Sequence, residues 1–554
     1  MAIEPNSTIQ FFGDVGLKPN QEDTIYFPDE STKTGWFNNK TMLGNFTNQY
    51  YSRRGRGKVR VAPPNGAGIG ALYNAQYMRF KNTSYENKWF YAFVTSVDYI
   101  NDTVVEVNYD IDIMVTWMGC FNLLECYVVR NHVSNDAIGS NTVDENLDIG
   151  EYVCEKTHVT SFFGSYKVGV WRSYDPLLDV ALYPIKQGTY VPIIANFYAL
   201  TTAGIDALNT LLWTTLASQN RVDSIITMKL VPEHYAVNNN DTYLGDASPI
   251  TDNFTVEKPY SYYFADYNSS GNSKRYSPKN KKLFTYPYKY LSVENCEGGN
   301  VTFKYEYFNT FPPYTSSNLN CSFIITGSAV TPEVNIMCIP HNYLFKEEDY
   351  SNAVEMTKFP NVCWNVDTYK AYLAQRDSTI VGDVIGSSLT AGVSGMLASG
   401  FNPAVGATGA LIGALSGVAR SGLISDITNE LAGQSKYVMP NETKGKANAD
   451  LMVQNKDKNF IFREMCITTE RARMIDDYFT MFGYAIKKVQ TPLMNLRPHF
   501  TYVKTIGCNI EPKSGYSIPG SDASAIEDMF NNGKRFWTRT SKVGDYSQDN
   551  RIPS

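Results

Sequence analysis

Five histidines and nine cysteines are the residues of this 554-residue chain best suited to catalysis or metal binding. The histidines (His132, His158, His234, His341 and His499) lie far apart in sequence. The cysteines (Cys120, Cys126, Cys154, Cys296, Cys321, Cys338, Cys363, Cys466 and Cys508) are odd in number and scattered, with no CxxC pair and no Cys/His group at zinc spacing. They are expected to be free thiols of a reducing compartment. No HExxH, Walker A loop or GxSxG elbow occurs. Asp476-Asp477 falls on a predicted helix at i, i+1, so its two carboxylates diverge. Glycoside hydrolysis needs two carboxylates that the fold alone can bring together, and spacing gives it no support. Gly66 to Ala71 matches GxGxxA, but Pro63-Pro64 precedes it and no acidic partner follows. A dinucleotide site requires the motif between a strand and a helix, so this one is rejected. The expectation is a protein without catalytic residues, metal or cofactor.

Charge argues the same way. A net charge of −6 does not suit a whole-chain clamp on nucleic acid. The basic loop Arg53 to Arg60 could meet phosphate, and a solvated turn or subunit contact is favoured over that.

The distinctive stretch runs from Val384 to Ala419 and holds no Asp, Glu, Lys, Arg or His. Asn402-Pro403 should break it, because proline lacks an N–H and disfavours helix in the residue before it. The arms Val384–Ser399 and Ala404–Ala419 both have helical periodicity. Ile385, Leu389, Val393 and Met396 form a stripe, with Leu397 and Phe401 beyond it; Leu411, Ile412, Leu415 and Val418 form another. Gly392 and Gly395 flank the first stripe, and Gly406, Gly409, Gly413 and Gly417 oppose the second. Small residues four apart let helix backbones approach closely in lipid. Each arm would span about 24 Å, short of the roughly 30 Å hydrocarbon core. The pattern fits a helical hairpin able to enter a membrane, or a buried Gly/Ala-rich helix pair.

The elements around it are mostly β. Aromatic content is 14%, with 39 Tyr and 29 Phe, and Asn/Gly turns punctuate the chain. Strands are predicted at Trp89–Val97, over the alternation Val105 to Val115, at Cys126–Arg130, Val168–Trp171, Ser322–Thr326, Val334–Ile339 and Tyr484–Val489. Helices are predicted around Ile205 to Leu216, at Asp367–Arg376 and at Ile467–Phe482, the last with Met474, Ile475 and Tyr478 inward and Gly483 as its stop. A capping box at Ser524 to Glu527 should open a helix ending at Gly533. Residues 238–282 look like a long exposed loop, and 425–458 like a polar tether. Met1 to Pro5 carries no basic or apolar leader, so no signal peptide is expected.

Several stretches resemble a known family. They are Phe90 to Asn101, Tyr109 to Trp117, Cys126 to Asp136, Thr142 to Leu147, Leu283 to Tyr290, Gly483 to Ile486 and Gly533 to Trp537. In this order they resemble the tail knob, or distal tail tube, proteins of phi29-like short-tailed bacteriophages. Residues from about 160 to 280 match least.

The resemblance implies a mainly β, multi-domain tube protomer with minor α, carrying a long apolar helical-hairpin loop. The domains expected are 1–155 with 484–554 as the tube-forming part, an inserted 156–283, a further β domain 284–376, the apolar loop and tether 377–458, and a returning helix 459–483. It further implies a homohexamer at the tip of the virion tail, joined to an upper tail tube or lower collar protein. Double-stranded phage DNA would pass through without sequence-specific contacts, and host cytoplasmic-membrane lipid would receive the loop. Ile385, Leu389, Val393, Met396, Leu397, Phe401, Leu411, Ile412, Leu415 and Val418 would then touch lipid. Gly392, Gly395, Asn402, Pro403, Gly406, Gly409, Gly413 and Gly417 would provide packing and the hinge. The competing readings are a structural tube or adhesin with the hairpin as core, and a cell-wall-degrading tail enzyme.

Overall fold

The computed structural model describes residues 6–19, 22–51, 57–63, 66–83, 87–175, 193–217, 221, 224–236, 242–243, 249–256, 264–267, 273–308, 320–359, 364–366, 442–444 and 459–552. These are mostly β and group into two units. Unit 1 is drawn from three lengths of chain, 1–151, 262–288 and 467–554, and unit 2 from 152–261 and 289–466.

Unit 1 is built on a seven-stranded antiparallel sheet ordered Met42–Thr47, Ser7–Phe12, Tyr77–Asn82, Phe90–Asn101, Val104–Ile111, Gly57–Val61, Tyr50–Tyr51. Alternation explains its two faces. Val105, Val107 and Tyr109 point into the core while Glu106 and Asn108 lie half-buried on the other face. The core is aromatic, with Phe37 stacked on Tyr77 at 5.6 Å and against Tyr91 at 4.5 Å. Phe37 comes from the helix Glu30–Asn38, opened by Asp29, whose carboxylate accepts from the Thr32 N–H at 2.7 Å.

The strand expected to run on through Ile113 and Val115 stops at Ile111. Asp112 turns the chain instead. Its carboxylate accepts from the Val115 N–H at 3.0 Å and the Tyr77 hydroxyl at 3.0 Å, capping the helix Ile113–Trp117. Lys33 ends that helix by donating to the carbonyls of Val115, Thr116 and Met118 at 2.9–3.1 Å. Burial lowers the Lys33 pKa, and the neighbouring Glu30 carboxylate opposes the shift. The basic loop also proves partly strand: Lys58 and Arg60 sit on Gly57–Val61 and both pair with Glu106, at 2.9 and 3.0 Å. Gly68, at φ 83°, precedes the one-turn helix Ile69–Leu72, a left-handed position that explains the glycine without a nucleotide.

A second sheet in unit 1 runs Asp23–Ile25, Lys534–Trp537, Phe500–Ile506, Cys126–Asn131, Tyr484–Gln490. All its pairings are antiparallel except that of Asp23–Ile25 with Lys534–Trp537. The helix Gly520–Asn532 buries Ile526 and Phe530 and stops at Gly533 as expected. It begins one turn before the predicted capping box: Pro519 holds the N-cap position, so Ser524 is an interior helical residue.

Among the described residues, unit 2 contains three larger sheets. One is Tyr152–Val159, Ile461–Ile467, Lys289–Glu294, Asn300–Phe303, and a second is Ile225–Pro232, Tyr166–Ser173, Ile193–Ala199, Thr242–Tyr243. The third is Ile250–Val256, Cys321–Ser328, Asn335–Tyr343, Lys346–Glu348, with Val354–Met356 also on Asn335–Tyr343. Trp171 is fully buried and donates to the Val330 carbonyl at 3.0 Å. The predicted helix near Leu208 is an α-helix, Thr202–Asn209, that widens into a π-helix over Thr210–Ala217.

The expectation of an exposed loop over 238–282 is corrected. Ile250–Val256 pairs along its whole length with Cys321–Ser328, and Phe264–Tyr267 pairs with Ser273–Tyr276. Val256 and Phe264 are buried. Interleaved Asp, Asn and Thr hid a two-residue period whose apolar face is used. The eight described cysteines are free thiols, and only Cys154 among them is exposed.

Candidate functional site

The apolar segment is reached through a short β ladder in unit 2. Trp364–Val366 runs antiparallel to Glu442–Lys444, in the register Trp364↔Lys444, Asn365↔Thr443, Val366↔Glu442. The chain therefore departs after Val366 and comes back at Glu442 within one inter-strand spacing, about 5 Å. Residues 367–441 lie outside the described residues, and so does every side chain assigned to lipid contact, packing or the hinge, from Ile385 to Val418. The predicted helix Asp367–Arg376 and nearly all of the 425–458 tether lie outside them too.

Sequence patterning missed the ladder. Three-residue strands carry too short a period to be seen, and the partners are far apart in the chain. A two-stranded ladder is marginal by itself, so firmer contacts lie to either side. Upstream, Val354–Met356 pairs with Ile336 to Cys338, and Val354, Met356 and Phe359 are buried. Downstream, the Phe460 N–H donates to the Thr160 hydroxyl at 3.1 Å and the Thr160 N–H to the Phe460 carbonyl at 3.2 Å. Phe460 is fully buried against Phe163. Ile461–Ile467 then enters its sheet, where Glu464 meets His158 at 2.6 Å. Burial pushes the Cys321 and Cys338 thiols of the neighbouring sheet far up, so both are inert at neutral pH.

In unit 1 the chain that follows becomes the helix Thr469–Phe482, capped by Thr468 and ended by Gly483. Its inward face is more polar than predicted. Met474 is 57% exposed, and Asp476 is completely buried. The Asp476 carboxylate accepts from the Tyr276 hydroxyl at 2.6 Å, the Lys279 N–H at 2.8 Å, and the Asn280 N–H and amide at 2.9 Å each. Asp477 is exposed, as the i, i+1 spacing required.

Glu145 is a second hub. It takes a 2.5 Å contact from Lys282, 2.7 Å from Arg130 and 2.8 Å from the Ala485 N–H. Burial lowers the Lys282 pKa against the pull of Glu145. His132 is a third: its Nδ1 accepts from the Tyr502 N–H at 2.8 Å, so its Nε2–H donates to the Thr480 carbonyl at 3.1 Å. Burial, reinforced by the Arg497 cation, depresses its pKa to about 3. These ionisable groups are structural, each spent on fixing backbone. Among the described residues no group of three or more His, Cys, Asp or Glu is placed to hold a metal, and no helix is long and apolar enough to cross a membrane.

Among the described residues, these contacts bind chain to chain. Comparison with known proteins agrees with the family resemblance found in the sequence. Residues 251–551 match the family model of the C-terminal domain of tail knob protein gp9 of Bacillus phage phi29. The chain belongs to the phi29 tail knob protein family. Residues 5–122 also match the N-terminus of caudoviral major tail proteins. Tail knob protein gp9 of Bacillus phage phi29 is 25% identical, and that of Bacillus phage PZA 24%, each alignment covering 100% of both chains. The tail knob protein gp12 of bacteriophage C1 has a similar fold, with a TM-score of 0.55 over 98% of this chain and 99% of that one, at 13% identity. A tail knob protein is a component of the phage virion tail. The relatives are named for a tail part and not for a reaction.

Proposed function

We propose that this tail knob protein forms a six-copy, DNA-conducting tube at the tail tip, and that the segments around Val384–Ala419 plug its lumen until they are released into the host cytoplasmic membrane. The observation that carries the reading is the ladder between Trp364–Val366 and Glu442–Lys444. It makes the charge-free stretch part of a loop that starts and finishes at one place on unit 2, as a deployable element requires.

The energetics favour many copies. Each Leu or Ile contributes about 0.3–0.6 kcal/mol of insertion free energy. One glycine-rich hairpin of sub-membrane length is weak alone. Six together satisfy their backbones and pack through their small faces. The stretch has no ionisable side chain, so any acid trigger acts through flanks such as Asp383, Asp426 and Glu430. The test is dye leakage from liposomes by the full protein and by a deletion of 384–419. Leakage from the full protein alone is expected, and equal leakage from both refutes the membrane role.

A further inference from the structure

Unit 1 carries two exposed apolar surfaces with opposite charge around them. The first lies across three strands of its five-stranded sheet. Tyr127 is in register with Val489 on one side and Ile506 on the other, so the three share a face. They are 39%, 62% and 61% exposed. Tyr484–Gln490 is the edge strand of that sheet among the described residues. It carries exposed Lys487, two residues from Val489, and Lys504, in register with Arg130, stands two residues from Ile506 on its own strand; Lys488, in register with the buried Val128, lies on the other face. Lys487 spends one donor on the Asp144 carbonyl at 2.7 Å and keeps its charge.

The second surface is the far end of the hairpin Phe90–Asn101/Val104–Ile111. The near end is buried, whereas residues 98–103 are all exposed. Tyr99 is 63% exposed and Ile100 42%, and Tyr73 nearby is 49% exposed. Asp98 and Asp102 flank them. Asp102 accepts from the Tyr99 hydroxyl at 2.7 Å and Asp98 from the Asn108 amide at 2.7 Å, which fixes the tip without neutralising it. Glu106, in register with Asp98, is already matched by Lys58 and Arg60.

We infer that the hairpin tip of one copy docks on the Tyr127–Val489–Ile506 face of the next. This rests on the ring assembly proposed above. A two-fold contact of either surface with itself would set lysine against lysine or aspartate against aspartate. The head-to-tail pairing instead sets the aspartates of the tip against the lysines of the face. A head-to-tail contact is also the kind that closes into rings.

Two full-length variants test it, one with Asp98→Lys and Asp102→Lys, the other with Lys487→Glu and Lys504→Glu. Each alone repels its own copies, and should raise the concentration at which rings give way to protomers by roughly 10-fold or more. Mixed together, they should form rings again, because each tip then meets a face of opposite charge. Native mass spectrometry should find equal numbers of the two variants in every ring. Thermal unfolding of each variant at the wild-type temperature shows that both are folded. If each variant alone still forms rings, or if the folded variants fail to form rings on mixing, the contact is overturned. If the wild-type protein forms no ring, it is the assembly reading that fails.

Discussion

Glu145→Gln removes one charge from a site that cannot hold the remaining two without it. The carboxylate has a side-chain exposure of 1%, and that of Lys282 is 2% and of Arg130 11%. The amide can still accept from the Ala485 N–H, so the geometry of the Tyr484–Gln490 strand survives. The Lys282 ammonium, which contacts the same carboxylate oxygen as the Ala485 N–H, loses its counter-charge and keeps a neutral amide oxygen and the Val143 carbonyl at 2.6 Å. Breaking a buried pair by removing one partner costs about 3–5 kcal/mol, because the other charge stays buried and uncompensated. At roughly 2–4 °C per kcal/mol for a domain of this size, melting should fall by about 6–20 °C. Differential scanning fluorimetry reads the shift, with urea unfolding as a check. Glu145→Gln combined with Lys282→Met should regain about 1–3 kcal/mol of that loss, since the stranded ammonium is gone. A single variant within about 1 kcal/mol of wild type would refute the reasoning that this hub bears on stability.

Two more outcomes follow from unit 1. Gly483 ends the helix Thr469–Phe482 at φ 65°, ψ −160°, and a Cβ there would lie 2.5 Å from the backbone of Asn131 and His132. Gly483→Ala should destabilise by more than about 3 kcal/mol, visible as a lower melting temperature and as early proteolysis near residue 483. His132, with its pKa held near 3, binds a proton in the unfolded chain well before it does so folded. The unfolded state therefore holds more protons between about pH 6.5 and 3, and stability falls as pH drops through that window, by up to about 1.4 kcal/mol per pH unit. His132→Gln should flatten the dependence relative to wild type; equal slopes for both would show that His132 is not the cause.

Elements with a clear local period were legible from sequence. The hairpin of Phe90–Asn101 with Val104–Ile111, the strands at Cys126 and Tyr484, and the stop signals Gly483 and Gly533 all follow from alternation or from a glycine at a helix end. The failures share one cause, which is that a distant partner outweighs the local pattern. Asp112 ends a strand because its carboxylate accepts from the hydroxyl of the distant Tyr77 as well as from the Val115 N–H. Asp476 belongs inside its helix because Tyr276, Lys279 and Asn280 come from another part of the chain to meet it. Ile250–Val256 is a strand because Cys321–Ser328 lies beside it. The candidate site divides in the same way. Its apolar stretch stood out by composition alone, while the ladder at Trp364–Val366 exists only through pairing with Glu442–Lys444.

The three-part construction of unit 1 sets an order on its making. The seven-stranded sheet lies wholly within residues 7–111 and is complete early in synthesis. Among the described residues, the strand Cys126–Asn131 pairs with Tyr484–Gln490 and Phe500–Ile506, both made after all of unit 2. Pairings of such long sequence separation form late. A chain that stops before Tyr484 therefore never builds the face shared by Tyr127, Val489 and Ile506. If the proposed contact holds, such a copy could offer its hairpin tip to a neighbour but no face in return, and a ring would not close through it.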